Sequence, residues 1–182
     1  MSRPSWKSSL SETLRRLQPD PDRVNPAEVR VAVVGVGQEL RGDDAVGLFA
    51  VRRPNAALPE NGALLVIEAG PAPENLTGVL RRFEPDLVVF VDAAGLDAVA
   101  GTVRWVSMDE ITGLGASTHA LPLATLAGFL TAQLGCAVGL IGVRPGDTGI
   151  GAPLTAQVEA AVNEIVRGLV EILGYRLSAH GR

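Results

Sequence analysis

Three polar residues, each beside an apolar run or a glycine-rich turn, have the type and placement to do chemistry. Asp44 closes the stretch Gly35-Val36-Gly37-Gln38-Glu39-Leu40-Arg41-Gly42-Asp43-Asp44, Asp92 follows Leu87-Val88-Val89-Phe90-Val91, and His119 closes Ala116-Ser117-Thr118-His119. In an open α/β sheet the functional crevice lies outside the carboxyl ends of the strands, so polar residues that end apolar runs are those that reach it. Asp43 and Asp44 fall at the start of an expected helix, where free N–H groups and the macrodipole stabilise anions. Asp is a favoured N-cap, which accounts readily for one acid but not for two. The expected division of labour is that Asp43 holds the loop and helix end while Asp44 projects into the crevice. Asp92 alone would read as a turn former, since Asp bonds nearby backbone N–H groups after a strand. His119 precedes a helix with Pro122 at an early position, and a helix N-terminus disfavours the imidazolium, leaving a neutral ring able to bind metal or take a proton. His180, in a polar tail, is expected to be solvated.

Two carboxylates and an imidazole form an O, O, N donor set. Such a set suits a divalent first-row cation such as Ni²⁺, Zn²⁺ or Mn²⁺, and three protein ligands leave positions open for substrate or water. Catalysis is the better fit than structural ligation. The single cysteine, Cys136, can form neither an intrachain disulfide nor a thiolate cage, and its place beside Ala137-Val138-Gly139-Leu140-Ile141 marks it as buried packing. Gly35-x-Gly37 after a strand resembles the start of a dinucleotide fingerprint, but the third glycine of that pattern falls on Leu40. Two acids where a phosphate would dock also count against a nucleotide-binding module.

The elements that must position these residues alternate short apolar runs with longer amphipathic segments, the pattern of βαβ units and a mostly parallel sheet. Strands are predicted at Val31 to Val36, Ala63 to Ile67, Leu87 to Val91, Thr102 to Val106 and Ala137 to Val143. Helices are predicted at Asp44 to Val51, Asn75 to Phe83, Leu121 to Leu134 and Leu154 to Leu173, the last with Val158, Val162, Ile165 and Leu169 on one stripe. Segments 70 to 73 and 144 to 153 read as loops. Before Arg30, Trp6, Leu10, Leu14 and Leu17 recur at helical spacing ahead of Pro19-Asp20-Pro21, so residues 1–29 read as an appended helix lying on the domain surface, then a linker. The domain proper is placed at 30–176 and a polar tail at 177–182.

With 182 residues, one domain is the expectation. A net charge of −4 gives no electrostatic reason to approach nucleic acid, and no apolar run suggests a membrane span or signal peptide. A cytoplasmic, monomeric protein is expected.

At these intervals the loops resemble the hydrogenase maturation protease family. Its members show Gly-x-Gly-Asn-x-Leu-x-x-Asp-Asp/Glu-Gly-x-Gly after a strand, a Val-Asp-Ala strand end and a Thr-His motif. Residues 35 to 47 fit the first motif, and Gly70-Pro71-Ala72-Pro73-Glu74-Asn75, Ser117-Thr118-His119-Ala120-Leu121-Pro122-Leu123 and Gly142-Val143-Arg144-Pro145 agree further. The formate-hydrogenlyase-type subgroup is the most similar. Gln38 stands where the motif has Asn, Ala45 where it has Gly, Glu68-Ala69 where many members have Asp-Gly, and Ala100 where Pro is usual. The resemblance implies a single-domain, three-layer phosphorylase/hydrolase-like fold. It also implies an endopeptidase that removes the C-terminal peptide from the nickel-loaded precursor of a nickel-iron hydrogenase large subunit. Residue by residue, the family's metal-contacting groups fall on Asp44, Asp92 and His119, with nickel brought by the substrate. The metal would act as Lewis acid or water activator; alternatively it only marks the substrate, and Asp44 or Asp92 serves as general base in the manner of an aspartyl protease. A non-catalytic nickel-binding chaperone on the same scaffold is the alternative from another class.

Overall fold

Five apolar runs pair into one sheet in the computed structural model of the chain, which describes residues 4–18, 29–53, 62–107, 110 and 120–174. The strands are β1 (Val31–Val36), β2 (Leu64–Gly70), β3 (Leu87–Ala93), β4 (Val103–Ser107) and β5 (Ala137–Val143), in the spatial order β2-β1-β3-β5-β4. All neighbours run parallel except the edge strand β4, which is antiparallel to β5. β1 and β3 are buried along nearly their whole length, because helices cover both faces. That double burial is why they read as unbroken Val, Leu and Phe runs rather than as alternating ones.

The helices among the described residues are α1 (Trp6–Arg16), α2 (Val46–Arg52), α3 (Thr77–Phe83), α4 (Ala120–Leu134) and α5 (Ala156–Leu169). Short 3₁₀ turns, Gly42–Ala45 and Pro73–Leu76, lead into α2 and α3, and α5 widens into a π turn at Val170–Gly174. Successive strand residues point to opposite faces, so β1 and β3 are shared between two cores. Val31, Val33, Val89 and Val91 meet α1, α2 and α5 on one face. Ala32, Val34, Val88 and Phe90 meet α3 and α4 on the other. The result is a single α/β domain of three layers.

The first helix is more deeply engaged than a surface extension. Trp6, Leu10 and Leu14 belong to the core that α5 completes, the Trp6 indole Nε1 donates to Glu164 Oε1 at 2.6 Å, and Lys7 pairs with Glu171 at 2.9 Å. Gly168 on α5 makes this possible, since a Cβ there would run into the indole ring and come within 2.7 Å of Lys7 Cε. The proposed linker beyond residue 18 and the polar tail at 177–182 lie outside the described residues. No described helix is long and apolar enough to cross a membrane.

From β1 the chain moves to β2 on one side and then to β3 on the other. The carboxyl ends of β1 and β3 therefore flank the topological switch point, where an open parallel sheet forms its crevice.

Candidate active site

Parallel pairing of β1 with β3 sets Gly35 beside Val91, so Asp92 emerges level with the last residue of β1. Its side chain is only 2% exposed, and Oδ1 accepts a hydrogen bond from the Ala93 N–H at 2.8 Å. Asp44 sits on the turn that follows β1. Its Oδ2 is buried and has no hydrogen-bond partner among the described residues. Burial foremost, then the negative charge of Asp44, push the Asp92 carboxyl up to about 8, against a smaller downward pull from the Ala93 N–H. Asp92 thus keeps its proton in neutral solution, and the two acids of the switch point are electrostatically coupled.

Glycines let the backbone close around this pair. A Cβ on Gly47, in the first turn of α2, would collide with the carbonyls of Val91 and Val36, so α2 rests directly on the ends of β3 and β1. Gly37 has φ +142°, and a Cβ there would overlap the carbonyl oxygen of Asp44. The two glycines of the dinucleotide-like stretch therefore serve close helix and loop packing: a Cβ on Gly35 would meet the Gly47 carbonyl and, at 2.6 Å, Val51 Cγ2.

Asp43 points the other way and is fully buried. Its Oδ2 accepts from Gly146 N at 2.7 Å, Asp147 N at 3.0 Å and the Thr155 hydroxyl at 2.9 Å, while Oδ1 accepts from Thr155 N at 2.7 Å. Burial raises its carboxyl, but these donors outweigh burial and hold it below the ordinary carboxylate range. Neither the 3₁₀ turn nor α2 carries a side-chain cap. The helix end that Asp43 holds is that of α5, whose N-cap Thr155 also accepts from Val158 N at 3.4 Å. Thr155 and the 146–155 loop escaped the sequence reading because their part is played mostly by backbone N–H groups, and the only signal was a Gly-Pro-rich segment.

The structure brings Asp44 and Asp92 together. His119, the third candidate, lies outside the described residues, immediately before α4. Among the described residues no three His, Cys, Asp or Glu side chains group as a metal site. Two of the departures from the family pattern are accommodated. Ala45 has φ −81°, in the right-handed region, so no glycine is needed there. Glu68 is held by Arg52, whose Nε and Nη2 reach its two oxygens at 3.0 and 2.9 Å while Nη1 reaches Glu39 at 2.6 Å. Cys136 is buried as expected, its thiol pushed up by burial.

A family model described as hydrogenase maturation protease matches residues 51–172. The chain is 30% identical over 135 residues to the hydrogenase 3 maturation protease of Escherichia coli K12, spanning 74% of this chain and 85% of that protein. The crystal structure of a NiFe hydrogenase maturation protease, HycI, from Thermococcus kodakarensis superposes with a TM-score of 0.77 at 29% identity, over 91% of this chain and 99% of that one. The hydrogenase maturating endopeptidase HybD of E. coli does so with a TM-score of 0.68 at 25% identity, over 84% and 94%. With this sheet, this crevice and these relatives, the chain belongs to the hydrogenase maturation protease family and is an endopeptidase.

Proposed function

We propose that this chain removes the C-terminal peptide from the precursor of a nickel-iron hydrogenase large subunit after nickel has been inserted. Asp44, Asp92 and His119 would meet the nickel that the precursor itself carries. The observation that supports this reading most is the buried Oδ2 of Asp44, unpartnered among the described residues, beside the buried carboxyl of Asp92. One acceptor without a donor among the described residues stands beside a second buried carboxyl, and oxygen donors with one imidazole are a set that a divalent first-row cation takes. Nickel in the substrate supplies Lewis-acid or water-activating chemistry. The chain's own part is to orient: α2 and the strand ends hold two acids rigidly at the crevice, so that docking places one peptide bond against them.

A second reading, in which nickel is only a recognition mark and the acids act on water as in an aspartyl protease, draws on the same pair. Coupled carboxylates of which one keeps its proton near neutrality are an acid and a base in one site. In either version the chain works as a monomer in the cytoplasm, without nucleic acid.

Incubating the chain with nickel-loaded and nickel-free precursor, and weighing the products by mass spectrometry, tests the proposal. Shortening of the loaded precursor alone is expected. A loaded precursor that stays full length rejects proteolysis and leaves the nickel-binding chaperone.

A further inference from the structure

We infer that Asp43 is the positioning residue for Asp44: it fastens the turn that carries Asp44 to the 146–155 loop and to the first turn of α5. This rests on the reading of Asp44 as a substrate-facing acid. It extends that reading to three further residues, Gly42, Asp147 and Thr155, none of which points at the crevice acids.

The fastening is two-sided. On the side-chain side, four donors converge on two oxygens of one buried carboxylate, three of them on Oδ2. On the backbone side, Asp43 N donates to Asp147 O at 2.8 Å and Gly151 N donates to Leu40 O at 2.8 Å. Gly42, at φ +51°, lets the strands of chain meet: a Cβ there would lie 2.5 Å from Asp147 O. Gly37 packs directly against the Asp44 carbonyl. The backbone around Asp44 is therefore restrained, while its own Oδ2 has no hydrogen-bond partner among the described residues.

The chemistry of position 43 requires a carboxylate. An amide nitrogen at either oxygen position would face an N–H or O–H donor, so Asn can satisfy only part of the cluster. Buried donors stripped of their acceptor recover it only by moving toward water or another carbonyl. Movement of the 146–155 loop carries the Gly42–Ala45 turn with it, because the two are joined at Leu40, Asp43 and Asp147. A displacement of Asp44 by an ångström is enough to spoil the alignment of a reacting bond.

The test uses the full chain as Asp43→Asn, Thr155→Val and Thr155→Ser, with Leu10→Ala as a control that weakens the remote α1 core. Cleavage of nickel-loaded precursor is followed well below each variant's melting temperature. Asp43→Asn is expected to lower kcat by about 100-fold with KM changed by less than about twofold. Thr155→Val should fall between, and Thr155→Ser, which keeps the hydroxyl, should recover most of the rate. In parallel, amide hydrogen exchange in Asp43→Asn should quicken at both 42–46 and 146–155 while β3 stays protected. A folded Asp43→Asn chain with parental kcat, or a Leu10→Ala chain slowed as much, overturns the inference. So does unchanged exchange at the two segments. If the parental chain fails to shorten the loaded precursor, the proposed function falls, and the exchange result alone still decides whether Asp43 holds the turn.

Discussion

Gly37 and Asp44 meet backbone to backbone: the Asp44 carbonyl oxygen occupies the space that any side chain at position 37 would need. With φ +142° at Gly37, an alanine there is both sterically and conformationally disfavoured. Gly37→Ala is expected to destabilise the chain by about 1–3 kcal/mol and to displace Asp44. Calorimetry and precursor cleavage on one preparation check this; an active variant with an unchanged melting temperature contradicts it.

Replacing Asp44 by Asn should abolish cleavage while leaving the fold intact. It also removes the charge that helps raise Asp92, so the Asp92 carboxyl should titrate lower than about 8 while burial still keeps it above the ordinary 3.8. A carboxyl titration followed by NMR in the two proteins reads the shift directly. An Asp92 midpoint that does not move shows that the two acids are uncoupled.

Asp92 also makes stability depend on pH. Its folded-state pKa lies above the unfolded one, so the folded state binds the extra proton. The contribution is full below the unfolded value and is lost as pH rises through about 8. Asp92→Asn, neutral at every pH, should flatten this decline and melt higher than the parent at pH 9 while losing activity, each kcal/mol amounting to about 2–4 °C for a chain of this size. Parallel curves for the two proteins between pH 5 and 9 would refute it.

Asp43 has the opposite sign. Its carboxyl is held below the ordinary value of 3.8, so its contribution is present above the unfolded pKa and is lost as pH falls through the folded one. Acid unfolding of the parent should therefore include a steep component below about pH 4 that Asp43→Asn lacks. Melting temperatures taken across pH 2–5 give the comparison.

At the far side of the domain, Gly168→Ala should force the Trp6 indole off α5. A cost of about 1–3 kcal/mol is expected from overpacking, with faster amide exchange along α1 and undiminished precursor cleavage. Loss of cleavage would place α1 closer to function than its position implies.

The strands were readable where burial on both faces left no ambiguity. β1 and β5 match their apolar runs residue for residue, and Asp92 was identifiable as the first polar residue after such a run. β2 continues to Gly70, beyond the predicted end at Ile67, because parallel pairing with β1 carries the ladder through Glu68 after the apolar pattern has stopped. The pairing of Asp44 with Asp92 followed from where strands end. That Asp43 holds a loop and a helix end was expected; that the helix is α5 was not. The partners of Asp43 lie 103 to 112 residues downstream and are mostly backbone N–H groups, which every residue but proline possesses and no residue type advertises. Likewise the amphipathic period of α1 was plain, whereas its partnership with Gly168 and Glu164 depends on a meeting of chain ends that periodicity cannot express.

The bond from Asp43 to Thr155 also sets a timetable. β1, α2 and β3 all lie before residue 94 and can pair as they are made, since domains begin folding from the amino terminus during synthesis. The acceptors of Asp43 must wait for Thr155, and the Trp6 indole must wait for Glu164 and Gly168. A ribosome-bound chain can thus hold a nearly complete sheet with both crevice acids present and still lack a fixed cutting edge. The turn that carries Asp44 is held only once α5 has docked against both that turn and α1.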